Sequence, residues 1–279
     1  MVKSGSEAAI MESGPASCVD EYIERASASL DGASLTSVMV SHIHVDHSGG
    51  AWKAVKRLPS IKVMVYEKGA KYLLDPSKLV ESAKAALGDI YHVWGDVEPV
   101  PGDAVVPLKA GSSVNVGSKT LVLVDAPGHA PHSSVWYLED DRTLFCGDAL
   151  GIYVADERGG YIWPTTPPPS FDYELAVSTI SRLSQFKVEC MCFPHYHYSC
   201  DASAAFDAIE QAYADWRRIT SEAYAAGLSP EDTLVRILDE APKYASVSAD
   251  PYRRSLMLMD IRGMMNYYSR RLSSKRQPG

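Results

Sequence analysis

Three histidines and one aspartate stand within six residues of one another, in the stretch Ser41-His42-Ile43-His44-Val45-Asp46-His47-Ser48-Gly49-Gly50. Imidazole nitrogens and carboxylate oxygens are the donors that zinc accepts, and iron and manganese accept them as well. The run Leu35–Val40 before the cluster is rich in β-forming apolar residues, and residues 50–58 after it have helical character. A loop between such elements can turn several side chains toward one point. Four donors so close together crowd a single ion. The spacing suits two ions better, with His42 and His44 on one and Asp46 and His47 on the other. Further donors stand at the ends of apolar runs. His129 follows Leu121–Val124 in Pro127-Gly128-His129, Asp148 follows Leu144-Phe145-Cys146 in Gly147-Asp148, and His195 follows Val188–Phe193. Each is a strand-to-loop junction, and one edge of a sheet could gather all three.

The elements needed to position them can be read from periodicity. Residues 7–11 read as a short strand. Val19, Ile23, Ala26 and Leu30 recur at helical spacing up to Gly32. Ile61, Val63 and Val65 alternate as a strand, and residues 68–74 and 77–87 look helical. Residues 113–125 form a hairpin turning near Asn115-Val116-Gly117, and a second hairpin crosses Glu139-Asp140-Asp141. Residues 151–170, with four prolines, read as a long loop of the kind that often carries function. Helices are expected over about 172–185, 202–227, 230–240 and 251–272, with a strand over 187–193; Ser229-Pro230 supplies a cap and first position. Strands and helices alternate to residue 193 and only helices follow. The expectation is a layered α/β body, residues 1–200, with a helical extension, residues 201–279.

Composition excludes several classes. With 27 Lys+Arg against 35 Asp+Glu the formal charge is −8, which disfavours broad binding to nucleic acid. No run of some 18 apolar residues suggests a membrane span, and the first residues lack the apolar core of a signal peptide. The five cysteines, Cys18, Cys146, Cys190, Cys192 and Cys200, are therefore expected to be reduced thiols of a cytoplasmic protein. The basic tail near Arg270, Arg271, Lys275 and Arg276 reads as a solvated end.

The pattern His42-x-His44-x-Asp46-His47, then Pro127-Gly128-His129, Gly147-Asp148 and His195, resembles the metallo-β-lactamase superfamily over roughly residues 7–200. Thr166-Pro167-Pro168-Pro169, Phe171-Asp172 and Gly128-His129-Ala130-Pro131-His132-Ser133 look most like its glyoxalase II-like branch. The resemblance implies a four-layer αββα sandwich and a metal site at one edge between two sheets. It implies that His42, His44 and His129 hold one divalent ion and that Asp46, His47 and His195 hold the other. Asp148 would bridge them. Zinc is the first expectation, with iron or manganese as alternatives. The implied activity is hydrolysis of a small ester, thioester or lactone by a metal-bridging hydroxide, with Asp46 and Asp148 as catalytic carboxylates.

Some features depart from the family. Glu12-Ser13-Gly14 stands where the family has Asp-Thr-Gly, and Glu12 is read as a support for the metal loop. The chain starts close to Ile10, so one sheet is expected to expose an edge that favours a homodimer. In Phe193-Pro194-His195-Tyr196-His197, His195 is preferred to His197 as the last ligand, and His132 is read as an outer group. Tyr153, Tyr161, Trp163, Tyr196 and His197 are candidate lining for a small-molecule pocket, and the C-terminal helices a candidate cover. No basic cluster suits the carboxylates of glutathione. Three other readings compete with hydrolysis of an ester-type bond. They are a mononuclear iron sulfur dioxygenase, a nuclease or phosphodiesterase, and a ligand-binding or signalling protein that has kept its metals.

Overall fold

The computed structural model describes residues 1–155, 160–195 and 197–275. The chain divides into two compact units, one of residues 1–126 and 132–147, the other of residues 127–131 and 148–279.

The first unit is built on two sheets. One has the order β1 (Val2–Ser4), β2 (Glu7–Met11), β3 (Ser34–Met39), β4 (Lys62–Tyr66), β5 (Val105–Leu108). β1 pairs antiparallel to β2, with Val2 opposite Ala9, and the remaining strands run parallel. Parallel strands need crossovers, and helices supply them. α1 (Val19–Ala28) links β2 to β3, burying Val19, Ile23 and Ala26 on one stripe. α2 (Val45–Ser48) and α3 (Ala51–Arg57) link β3 to β4, and α4 (Glu67–Leu74) and α5 (Ser77–Leu87) follow β4. The second sheet of this unit is an antiparallel meander of β6 (Ser113–Val116), β7 (Lys119–Asp125), β8 (Ser134–Leu138) and β9 (Thr143–Phe145).

The two sheets meet in a dry layer. Ala9 and Met39 from one pack with Leu121, Leu123 and Trp136 from the other. Trp136 is fully buried, and its indole Nε1 donates to the Val40 carbonyl at 3.2 Å. The core is thus pinned to the end of β3, just before the chain enters the histidine cluster.

The second unit begins with β10 (Ile152–Val154) and β11 (Tyr161–Trp163), an antiparallel pair within the stretch expected to be a loop. The prolines mask this pair from a reading by composition, because they all follow β11. α6 (Tyr173–Leu183) is capped by Asp172, whose carboxylate accepts from Leu175 N. β12 (Cys190–Phe193) and β13 (His197–Ser199) form a hairpin, and α7 (Ala202–Ala225), α8 (Pro230–Glu240), α9 (Ala245–Ser248) and α10 (Pro251–Lys275) complete the chain. Ile209, Tyr213, Trp216, Leu234, Ile237, Met257, Ile261 and Met264 supply their buried stripes. Among the described residues no helix is long and apolar enough to cross a membrane.

Two expectations are corrected in this unit. Cys190 and Cys200 form a disulfide rather than staying reduced. The register explains it: Met191 faces Ser199, so the next position outward sets Cys190 beside Cys200, with Cα atoms 4.0 Å apart. Cys18, Cys146 and Cys192 keep their thiols. Arg270 and Arg271 are not simply solvated. Arg270 donates to the Pro169 and Phe171 carbonyls, and Arg271 pairs with Glu174 at 2.8 Å. Arg276 and the Lys275 side chain lie outside the described residues.

Candidate metal centre

Four ligand-type side chains of the first unit follow β3 directly. His42 lies at the strand exit, His44 precedes α2, and Asp46 and His47 sit on α2. His42 Nε2 stands 3.1 Å from His44 Nδ1, and His47 Nε2 stands 3.7 Å from an Asp46 carboxylate oxygen. The His42 and His47 ring centroids are 4.1 Å apart. So many imidazoles in mutual contact would repel if protonated, and the arrangement suits neutral rings facing a cation.

Two of these rings are steered from behind. His42 Nδ1 lies 3.0 Å from Ser41 Oγ. His47 Nδ1 lies 3.4 Å from Glu12 Oε1, while the other Glu12 oxygen accepts the Ser41 N–H at 3.1 Å. Glu12 has a left-handed backbone, φ 64°, and the turn after it is stitched to the cluster, with Ser13 N and Gly14 N donating to the His47 carbonyl. The substitution of Glu for the family's Asp at this position therefore leaves a carboxylate engaged with the ligand loop. His132 lies outside this group, its ring 5.5 Å from His44 and 6.1 Å from Tyr72.

Three further ligand-type side chains belong to the second unit. Asp148 is 5% exposed; one carboxylate oxygen lies 3.8 Å from His129 Nε2 and the other 3.7 Å from His195 Nε2. A carboxylate with an imidazole against each oxygen has the donor layout of a bridging ligand. His129 Nδ1 faces the Thr165 carbonyl at 3.2 Å and the Thr165 hydroxyl at 3.1 Å. Gly128 is required before it: φ is +135°, and a Cβ there would come within 2.4 Å of the Ala176 Cα. His195 is the most open of the three, with 37% of its side chain exposed, and takes a left-handed backbone at the hairpin turn, φ 63°.

The residues present fit divalent metal ions. The donors are imidazole nitrogens and carboxylates, and in His42, His47 and His129 one ring nitrogen meets an outer partner while the other turns to a ligand-type group. Outer partners of this kind fix the tautomer and aim of metal-binding histidines.

The candidate lining residues have varied surroundings. Tyr153 is half-buried and stacks on His197 with ring centroids 3.5 Å apart. Burial holds the His197 pKa below the usual imidazole value. This ring is thus occupied with Tyr153, whereas His195 faces Asp148. Tyr161 and Trp163 are buried, Tyr161 against Tyr244 and hydrogen-bonded to Ser246. Tyr196 lies outside the described residues. Sequence reasoning misses Thr165, because a threonine ahead of a proline run carries no signal of its partner.

A family model described as the metallo-beta-lactamase superfamily matches residues 2–195. The chain belongs to the metallo-β-lactamase superfamily. The "Metallo-beta-lactamase fold-containing protein ST1585" of Sulfurisphaera tokodaii is 32% identical over 165 residues, 58% of this chain and 60% of that protein. An "anaerobic nitric oxide reductase flavorubredoxin" of Aliivibrio fischeri is 26% identical over 140 residues, 50% of this chain and 24% of that protein. The match thus spans less than two thirds of either relative. The solved metallo-beta-lactamase family protein TTHA1429 of Thermus thermophilus superposes with TM-score 0.69 at 16% identity, over 97% of this chain and 87% of that one. The fold is accordingly the superfamily's α/β sandwich with C-terminal helices, a metal-dependent hydrolase-type fold.

Proposed function

We propose that this chain is a metallo-hydrolase of the glyoxalase II-like branch that cleaves a small ester, thioester or lactone. The observation that carries the reading is Asp148, almost wholly buried and set between His129 and His195. His42, His44 and His129 would hold one divalent ion and Asp46, His47 and His195 the other, with Asp148 shared. When bound, such a pair lowers the pKa of water toward about 7 and polarises a carbonyl, so that hydrolysis proceeds at neutral pH.

The chain's own residues do the rest. Glu12 and Ser41 keep Nδ1 of His47 and His42 turned outward, which leaves Nε2 as the ligating atom of each ring. Thr165 does the same for His129. Asp46 presents a carboxylate oxygen beside His47, where it can take a proton released by the attacking water. Tyr153 and His197, stacked and partly open, would form part of the substrate contact. A cytoplasmic location, zinc as the metal and a homodimer belong to this reading as well.

The test is turnover of acyl esters, thioesters and lactones by zinc-loaded protein against Asp148→Ala. Loss of the bridging ligand should lower turnover on the order of a thousandfold, several kcal/mol of transition-state stabilisation. Equal rates for the two proteins, at any substrate, would overturn the proposal. One second reading is oxidation at iron of the sulfur dioxygenase kind, because the same imidazole and carboxylate donors also accept iron. Elemental analysis of protein made without added metal separates them: about one iron per chain with oxygen uptake supports oxidation, and two zinc or manganese ions support hydrolysis.

A further inference from the structure

The C-terminal helices lie beyond the stretch that the family model matches, yet a buried polar chain runs from them to a proposed ligand. Asp260, on α10, is 1% exposed. Its carboxylate accepts the Thr166 N–H at 2.6 Å, and its main-chain carbonyl accepts the Thr166 hydroxyl at 2.8 Å. Trp216 on α7 donates to that same hydroxyl at 3.3 Å. One residue earlier, the Thr165 hydroxyl donates to the Asp148 carbonyl at 3.1 Å, so its oxygen is left to accept from His129 Nδ1, beside the Thr165 carbonyl. The helix can approach this closely because residue 263 is glycine: a Cβ there would fall 1.6 Å from the Thr166 carbonyl oxygen.

We infer that Asp260 is a positioning residue for His129, acting through Thr166 and Thr165 to hold the imidazole in the tautomer that leaves Nε2 to the metal. The inference rests on the metal-centre reading above. Two acceptors at Nδ1 require a proton there, and only a fixed Thr165 can offer both at once. Asp260 fixes Thr165 by accepting from both hydrogen-bond donors of its neighbour, the Thr166 N–H at its carboxylate and the Thr166 hydroxyl at its main-chain carbonyl. Helix docking alone does not explain an aspartate here. Burial raises its carboxyl well above the ordinary value, and an apolar residue would pack against the loop without that cost. The superfamily body and the C-terminal helices are thereby joined in function: the helices carry the outer support of a ligand that the body supplies.

The experiment compares the metal-free wild-type chain with Asp260→Leu, Asp260→Asn and Met257→Ala, the last a buried position on the same helix. Zinc affinity is measured by chelator competition, the ligand field by the visible spectrum after cobalt loading, and stability by melting of the metal-free proteins. Asp260→Leu should weaken zinc binding roughly 10–100-fold and alter the cobalt spectrum. Asp260→Asn keeps an acceptor for the Thr166 N–H and should stay close to wild type in both. Met257→Ala should lower the melting temperature and leave affinity and spectrum unchanged. A destabilised Asp260→Leu with wild-type affinity and spectrum overturns the inference, making Asp260 a folding residue alone. If Asp260→Leu does not fold, Thr165→Val decides: it removes the hydroxyl at Nδ1 without touching α10, and unchanged affinity in it overturns the inference. A wild-type chain that binds neither zinc nor cobalt overturns the metal-centre reading itself, and this inference with it.

Discussion

The ligands of residues 42–47 and those at 129, 148 and 195 serve one proposed chemistry, but they are built in opposite ways. The first group is compressed into a single strand-to-helix turn, and its supports, Ser41 and Glu12, come from that turn and from the end of the neighbouring strand β2. The second group comes from three separate turns, and its supports reach as far as residue 260. A compact group is held by the sheet core beneath it, so it depends on packing. A dispersed group is held by hydrogen bonds and tight turns, so it depends on single atoms in distant elements.

The largest expected effect tests the first half of that contrast. Trp136→Ala removes the indole that fills the layer between the sheets and ties down Val40. It should cost about 3–5 kcal/mol in denaturant unfolding. A cost under about 1 kcal/mol, within the range of tolerated core swaps, would break the claim that the core carries the first group. Gly128→Ala tests the second half. The forced left-handed backbone and the contact with Ala176 should cost about 1–3 kcal/mol, accompanied by loss of metal. Full metal content in a stable Gly128→Ala protein would show that the turn tolerates movement and that the second group is less exacting than described.

Glu12→Gln is a finer probe. It keeps the shape but removes the charge facing His47 Nδ1, and zinc affinity should fall roughly 10–100-fold with little change in melting temperature. An unchanged affinity would reduce Glu12 to a bracket for the Ser41 N–H. The smallest effect belongs to a control that neither group should feel. Hydrogen bonds from Arg236 and Arg218 hold the Glu240 carboxyl below its usual pKa. A depressed acid stabilises the fold above the ordinary carboxylate range, and that contribution disappears as pH falls through the folded value. Glu240→Gln should therefore lower the melting temperature slightly near neutral pH, by less at high salt, and not at all in acid. A difference independent of pH would assign the effect to packing instead.

The same contrast explains what could be read from sequence. His42, His44, Asp46 and His47 announce themselves because their spacing is local, and the helices over 19–28, 77–87 and 230–240 do so through apolar spacing and, in the last, a cap. Pro127-Gly128-His129 is legible because the glycine it needs stands next to it. β1, β5 and β13 are strands of three or four residues, too short for periodicity to show, and β10 and β11 are overshadowed by the proline run that follows them. Cys190 and Cys200 pair across a hairpin whose register no composition reveals. Asp260 looks like any polar residue of an amphipathic helix. Only the fold brings it to Thr166, because its partner is 94 positions away.

Two of the buried indoles give this construction an optical readout. Trp136 is enclosed in the first unit beneath the exit of β3, and Trp216 is enclosed in the second, on the hydroxyl of Thr166. Keeping either Trp136 or Trp216 and replacing the other four tryptophans by phenylalanine confines the emission to one unit, so stopped-flow fluorescence can follow each unit separately as metal is added.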